Sequence, residues 1–168
     1  DNRRWDEALT VAQESRVSQI ATATLKKILE TRGKDVANVL KEAKHVVSNY
    51  DSAVAAVENL QNILDLVEES GVKFETLIEA GFARGLEYYT GMVFQPYVPD
   101  LEREVGGGGR YDKLVELFGG EPTPAVGVAH GIDRLALAMK KQKVLTKIEA
   151  ERRVMIIPIG EEMRAKAM

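Results

Sequence analysis

Two stretches of this sequence combine residue types that handle anions and small planar ligands. They are ARGLEYYTGMVFQ at Ala83–Gln95, and GGGGRYDKL at Gly106–Leu114 followed by PAVGVAHGIDRLAL at Pro124–Leu137. In the first, Arg84 stands between Ala83 and Gly85. Small neighbours let its planar guanidinium reach a phosphate or carboxylate without steric shielding. Tyr88 and Tyr89 follow, then a turn expected at Thr90–Gly91. If both tyrosines lie on a strand they point to opposite faces, and only one can line a given pocket. Without a ligand, the same residues make a hairpin with an exposed arginine and half-buried tyrosines. In the second stretch, Gly106–Gly109 remove four consecutive Cβ atoms, so a ligand can approach the main chain and its N–H groups closely. The run is neither a P-loop nor a dinucleotide fingerprint, and a glycine run taken alone is more often a loop. In the third, an apolar segment turns through Gly131 into a helix with Arg134 in its first turn. A helix N-terminus attracts anions, and an arginine there suits a polyphosphate; a pair with Asp133 or Glu121 is the alternative.

Composition narrows the chemistry. The chain has 168 residues, no cysteine and two histidines, His45 and His130. A disulfide framework, a thiolate zinc site, a thiol nucleophile and a multi-histidine metal site are thereby excluded or nearly so, and no protein-bound metal is expected. All five serines lie at or before Ser70, away from the glycine-rich half, which argues against a Ser-His-Asp hydrolase. The net charge of −3 gives no overall attraction to nucleic acid or anionic lipid. One basic stretch, Lys140–Arg153, reads as a solvated face or linker. No apolar run approaches the ~18–20 residues that span a bilayer, and the cysteine usage fits a cytosolic protein.

The elements that must position these residues divide near residue 71. Eleven of the 14 glycines lie between Gly81 and Gly131, whereas the first 70 residues hold only Gly33 and no proline. Those 70 residues are expected to be helical throughout and free of strands. Helices are predicted over Ser18–Thr31, Asp35–Ser48 and Asp51–Ser70. In the last, Val54, Val57, Leu60, Ile63, Leu64 and Val67 form one apolar stripe. Asp51 or Ser52 is its expected N-cap and Gly71 its stop. Strands are expected at Phe74–Ala80, at Met92–Val98, at Leu101–Val105 as a return, and at Ala125–Ala129, buried. Helices are expected at Tyr111–Phe118 and from Gly131 to Lys141, a strand at Arg153–Ile159, and helix again from Glu161. The fold class is α+β: a helical subdomain followed by part of an antiparallel sheet with flanking helices.

Taken in order, the motifs resemble the catalytic core of histidyl-tRNA synthetase, a class II aminoacyl-tRNA synthetase. RGLEYYTG is similar to that family's histidine-specific loop, GGGGRYD to its glycine-rich substrate strand, and GVAHGIDRL to class II motif 3. VMIIPI at Val154–Ile159 resembles the first strand of the anticodon-binding domain, and residues 1–70 match the helical insertion in position and type. Glu87 and Lys113 stand where the family more often has aspartate and glycine, and His130 where a small or apolar residue is usual. The resemblance implies four parts: a helical insertion at 1–72, the C-terminal part of the catalytic core at 73–141, a basic linker at 142–153, and the start of an anticodon-binding domain at 154–168.

It also implies a function in protein biosynthesis in the cytoplasm: a ligase that activates histidine with ATP and Mg2+, then transfers it to the 3′ end of tRNA(His). Arg84 would be catalytic, contacting the α-phosphate and the substrate carboxylate. Arg134 would hold the γ-phosphate of a bent ATP, with both arginines pointing into one concavity. Tyr88, Tyr89 and Tyr111 would line the imidazole pocket, and Gly106, Gly107, Gly108 and Gly109 would floor it. Motifs 1 and 2 are expected before Asp1, so the chain reads as a fragment that is inactive alone and whose full-length parent is a homodimer. The competing reading is a non-catalytic, histidine-sensing paralogue of the ATP phosphoribosyltransferase regulatory-subunit type, which needs the histidine pocket but no phosphate clamp.

Overall fold

The computed structural model describes residues 5–99 and 101–144, which belong to two compact units, Asp1–Gly131 and Ile132–Met168. The first unit begins with α1 (Trp5–Glu14), α2 (Gln19–Glu30), α3 (Val36–Val46) and α4 (Asp51–Glu69). Local chemistry sets most of their ends. The Ser18 hydroxyl accepts from the Ala21 N–H at 3.2 Å, and the Asp35 carboxylate from the Asn38 N–H at 3.1 Å, capping α2 and α3. Gly71, at φ +74°, stops α4 as expected. The N-cap of α4 is Tyr50 rather than Asp51 or Ser52, and it uses no side chain. Its carbonyl accepts from Ala53 and Val54 instead, and Asp51 takes the first helical turn, where a carboxylate complements the helix dipole.

The packing centre of this unit is α3. Val39, Leu40, Ala43 and Val47 are buried at spacings of one, three and four, which form one helical stripe. The helix packs against both α2 and α4. The α4 stripe from Val54 to Val67 is half-buried along its length, and Lys44 Nζ reaches Glu58 Oε1 at 2.6 Å across the α3–α4 seam.

The first 70 residues are not free of strand. Arg32–Gly33 (β1) pairs antiparallel with Ile78–Glu79 (β2). The link between α2 and α3 runs extended, and its polar groups are satisfied by a partner from beyond α4. The Ala80 N–H donates to the Thr31 carbonyl at 3.0 Å, and Arg32 lies 3.6 Å from Glu79. Only two residues of the expected Phe74–Ala80 strand are used. Likewise Met92–Val98 contributes only Val93–Phe94 (β3): the chain leaves the ladder at Pro96, which lacks an N–H. Leu101–Val105 forms no strand. At its end the Val105 N–H donates to the Pro96 carbonyl and the Val105 carbonyl accepts from the Gly131 N–H. The predicted Tyr111–Phe118 helix shrinks to Leu114–Leu117 (α5), closed by Gly119 at φ +82°.

The glycine run is a strand, not a loop. Gly106–Arg110 (β4) lies between β3 and Val126–His130 (β5) in an antiparallel sheet of order β3-β4-β5. Gly106–Gly109 are buried throughout. β5 is the strand expected near Ala125–Ala129, but it is not buried: at the sheet edge, Val126 is 76% and Val128 52% exposed.

The second unit contributes α6 (Ile132–Lys141), as predicted from Gly131 to Lys141, with Ala138 buried. The expected strand at Arg153–Ile159 and the helix from Glu161 lie outside the described residues. Among the described residues, no helix is long and apolar enough to cross a membrane.

Candidate functional site

Alternation along β4 decides what each glycine faces. Gly107 and Gly109 share one face with their ladder partners Ala129 and Gly127. Gly106 and Gly108 face the other side, toward His130 and the Phe94 ring respectively. Arg84 lies on the Gly107 face, where a Cβ on Gly107 would collide with its Nη1. Tyr89 lies over the next glycine on that face, its ring 2.9 Å from where a Gly109 Cβ would stand. Opposite Gly109, the Tyr111 hydroxyl occupies the space a Cβ on Gly127 would need. A pair of facing glycines on neighbouring strands therefore makes the bed on which two tyrosines rest.

Tyr88 completes the cluster. Its ring centroid lies 4.7 Å from that of Tyr89 and 5.8 Å, edge-on, from that of Tyr111; Tyr89 and Tyr111 are 6.3 Å apart. These separations are in the range of favourable aromatic pairs. Tyr88 and Tyr89 are not on a strand, so the rule of opposite faces does not apply and both join one cluster. The Tyr88 hydroxyl titrates above the ordinary phenol range: its hydrogen bond with Tyr89 is the largest cause, and burial adds to it. The Arg84 charge pulls the other way, which places that guanidinium within electrostatic reach of the tyrosines.

Where the ladders end, Asp112 binds three segments together. Its Oδ2 accepts from Arg110 Nε at 2.7 Å, its Oδ1 from the Ala125 N–H at 3.1 Å, and its own N–H donates to Thr90 Oγ1 at 3.0 Å. The Arg110 hydrogen bond, followed by that from Ala125, holds the carboxyl below its ordinary range.

The structure thus brings Arg84, Tyr88, Tyr89, Tyr111, Gly107 and Gly109 to one face of one sheet. Gly106 and Gly108 belong to the same strand and present its opposite face. Arg134 is half-buried in the first turn of α6, in the second unit. Glu87, Lys113 and His130 are exposed. Among the described residues, no three histidine or carboxylate side chains gather as a metal site would require. Sequence reasoning did not single out Gly127, Thr90 or Asp112. An isolated glycine within an apolar strand is a signal for close approach, and it was available at Gly127; Thr90 was legible only as a turn residue and Asp112 only as the end of GGGGRYD.

The fold of this chain has counterparts among solved structures. One is titled as a histidyl-tRNA synthetase from Nostoc sp. PCC 7120, with TM-score 0.66 and 25% identity, covering 96% of this chain and 39% of that one. Another is titled as an ATP phosphoribosyltransferase regulatory subunit/histidyl-tRNA synthetase from Bacillus halodurans, with TM-score 0.67 and 25% identity over 81% of this chain and 36% of that one. The fold is that of the histidyl-tRNA synthetases.

The family model for histidyl-tRNA synthetase matches residues 1–135, and the chain belongs to that family. It is 40% identical over 138 residues to the histidine–tRNA ligase of Methanococcus aeolicus, covering 82% of this chain and 31% of that protein. It thus spans about a third of the length of such a relative.

Proposed function

We propose that these residues form part of the catalytic core of a class II histidine–tRNA ligase, acting in the cytoplasm on histidine, ATP with its Mg2+, and tRNA(His). In the reaction the histidine carboxylate attacks the α-phosphorus of ATP and pyrophosphate leaves. The tRNA 3′ end then takes the histidyl group from the adenylate. The observation that carries the reading is Arg84 laid over Gly107 beside the three tyrosines. A guanidinium fixed there can pair with the carboxylate and with the α-phosphate as negative charge builds between them. Tyr88, Tyr89 and Tyr111 offer hydroxyls and ring faces to an imidazole, and Gly107 and Gly109 leave the strand low enough to admit it. Gly106 and Gly108 contribute as the continuous strand that holds those two in place. Arg134 at the start of α6 would receive the γ-phosphate. The division into insertion (1–72), core (73–141), linker (142–153) and anticodon-binding start (154–168), and a homodimeric full-length enzyme, belong to the same proposal.

Adenylation needs ATP clamped from two sides and aligned with the carboxylate, and such alignment can be worth ~7–11 kcal/mol of barrier. On this reading motifs 1 and 2 of the class lie outside these 168 residues. These residues alone are therefore expected to catalyse little or no exchange. The histidine-sensing regulatory reading is favoured by the Bacillus halodurans likeness; the presence of both Arg84 and Arg134 favours the ligase, since a sensor has no use for a phosphate clamp.

Two measurements test the proposal. In a full-length ligase carrying these residues, Arg84→Ala is expected to slow adenylate formation about 10²–10³-fold while histidine binding changes far less. Pre-steady-state kinetics showing the reverse would demote Arg84 to a ground-state ligand. Histidine-dependent pyrophosphate exchange by the 168-residue chain within about tenfold of the full-length enzyme would show that the clamp is complete without motifs 1 and 2.

A further inference from the structure

We infer that Asp112 is the positioning residue of the tyrosine pocket: its carboxylate ties the strand end that carries Tyr111 to the segment entering Gly127, its N–H ties the same point to Thr90 beside Tyr89, and the pocket needs both. The inference rests on the histidine-pocket reading above for its consequence, but its geometry stands alone. Each polar contact of Asp112 falls next to a pocket residue. Thr90, which accepts from the Asp112 N–H at 3.0 Å, follows Tyr89. Arg110, which donates to Oδ2 at 2.7 Å, precedes Tyr111. Ala125, which donates to Oδ1 at 3.1 Å, stands two residues before the glycine beneath the Tyr111 hydroxyl.

The location makes these bonds matter. The β4–β5 ladder ends at Arg110 opposite Val126, and the β3–β4 ladder at Val93 opposite Gly109. Beyond them two backbone bonds continue toward the Thr90–Met92 segment, Arg110 N–H to Met92 O and Thr90 N–H to Arg110 O, but only one toward Ala125, from the Tyr111 N–H to its carbonyl. On the Ala125 side a chain joined by one backbone bond can pivot about it, and a carboxylate bonded to the Ala125 N–H and to Arg110 removes that freedom. Because those backbone bonds do not need the carboxylate, its loss should loosen the tyrosines without dissolving the sheet.

Asparagine separates positioning from bulk. It has nearly the shape of aspartate but only one acceptor, so its amide faces a donor either at Arg110 Nε or at the Ala125 N–H. Aspartate-to-glutamate keeps both acceptors on a longer arm and should rescue in part. Thr90→Val removes only the acceptor for the Asp112 N–H and leaves the carboxylate bonds intact.

The experiment uses the 168-residue chain and two readouts. Proton NMR follows Overhauser signals between the Tyr89 and Tyr111 rings, 6.3 Å apart between centroids, with cross-strand signals between β4 and β5 as the fold control. Calorimetric titration follows L-histidine binding. In Asp112→Asn the inter-ring signals are expected to disappear while the cross-strand signals persist, and histidine affinity to fall at least about tenfold. Asp112→Glu should fall between Asn and wild type. Inter-ring signals unchanged in Asp112→Asn overturn the inference, and so does their disappearance with unchanged histidine affinity. If the cross-strand signals vanish as well in Asp112→Asn, Thr90→Val decides: inter-ring signals that persist there overturn the inference, and inter-ring signals that vanish on an intact sheet support it. If the wild-type chain shows the inter-ring signals and binds no histidine, the pocket reading fails, while the ring response to Asp112→Asn still supports or overturns the positioning role.

Discussion

The helical region and the glycine sheet bury different things. In α1–α4 the buried positions are side chains: Val39, Leu40, Ala43 and Val47 on one stripe of α3. In β3-β4-β5 the buried positions are the four glycines of β4, which have no side chains to bury. The first region is held by apolar contact, the second by a backbone ladder and by side chains from a distant loop lying on it. Stability and recognition are therefore separable. A strand made of glycine contributes little hydrophobic energy and loses more backbone entropy than any other, but it leaves room for a guanidinium and a tyrosine ring where Cβ atoms would stand.

That contrast is open to direct attack. The largest effect is expected from Gly107→Ala in a full-length ligase carrying these residues. One methyl group displaces the Arg84 guanidinium, and adenylate formation should fall about 10²–10³-fold with the thermal midpoint little changed. A normal rate would mean that the arginine does not need this seat. Leu40→Ala in the 168-residue chain is the mirror image. It should cost about 2–5 kcal/mol in urea unfolding and leave the inter-ring signals of the folded fraction unaltered. A variant as stable as wild type would deny α3 its place as the packing centre. Smaller again is Gly127→Ala, whose methyl meets the Tyr111 hydroxyl. Histidine affinity by calorimetry should drop about tenfold, and an unchanged value would remove Tyr111 from the pocket.

The smallest effect is one of pH. Asp112 has its pKa lowered by Arg110 and then by the Ala125 N–H, so its contribution to stability is present above the unfolded value of about 3.9 and is lost as pH falls through the lower folded value. Urea midpoints measured from pH 5 downward should decline less steeply for Asp112→Asn than for wild type. Parallel curves would show that the carboxylate gains nothing from its partners.

Legibility followed the same division. Ser18, Asp35 and Gly71 announced helix ends because a cap is a contact among residues a few positions apart, and the α4 stripe announced its buried face by spacing alone. The Tyr50 N-cap escaped because a backbone carbonyl, which every residue has, made the bond. β1 escaped because Arg32–Gly33 extends only when Ile78–Glu79 arrives to pair with it. The strand predicted as buried at Ala125–Ala129 has the composition of a core strand, but its exposure depends on its place at the edge of the sheet.

By its order of motifs, the sequence alone determined the family, the helical-then-sheet layout, and the set from which the proposed site residues are drawn: Arg84, the tyrosines and the glycine run. Motif order and helical periodicity are properties of the chain itself, readable without its partners. Only the tertiary structure decided that the glycine strand is the central one of three, that Gly107 and Gly109 rather than Gly106 and Gly108 lie under Arg84 and Tyr89, and that Gly127 and Asp112 belong with them. Which face a strand residue occupies depends on register, and a slip of one residue exchanges the faces. Register is set by neighbouring strands and crossing side chains far away in the sequence, so no local pattern at Gly106–Gly109 could have carried it.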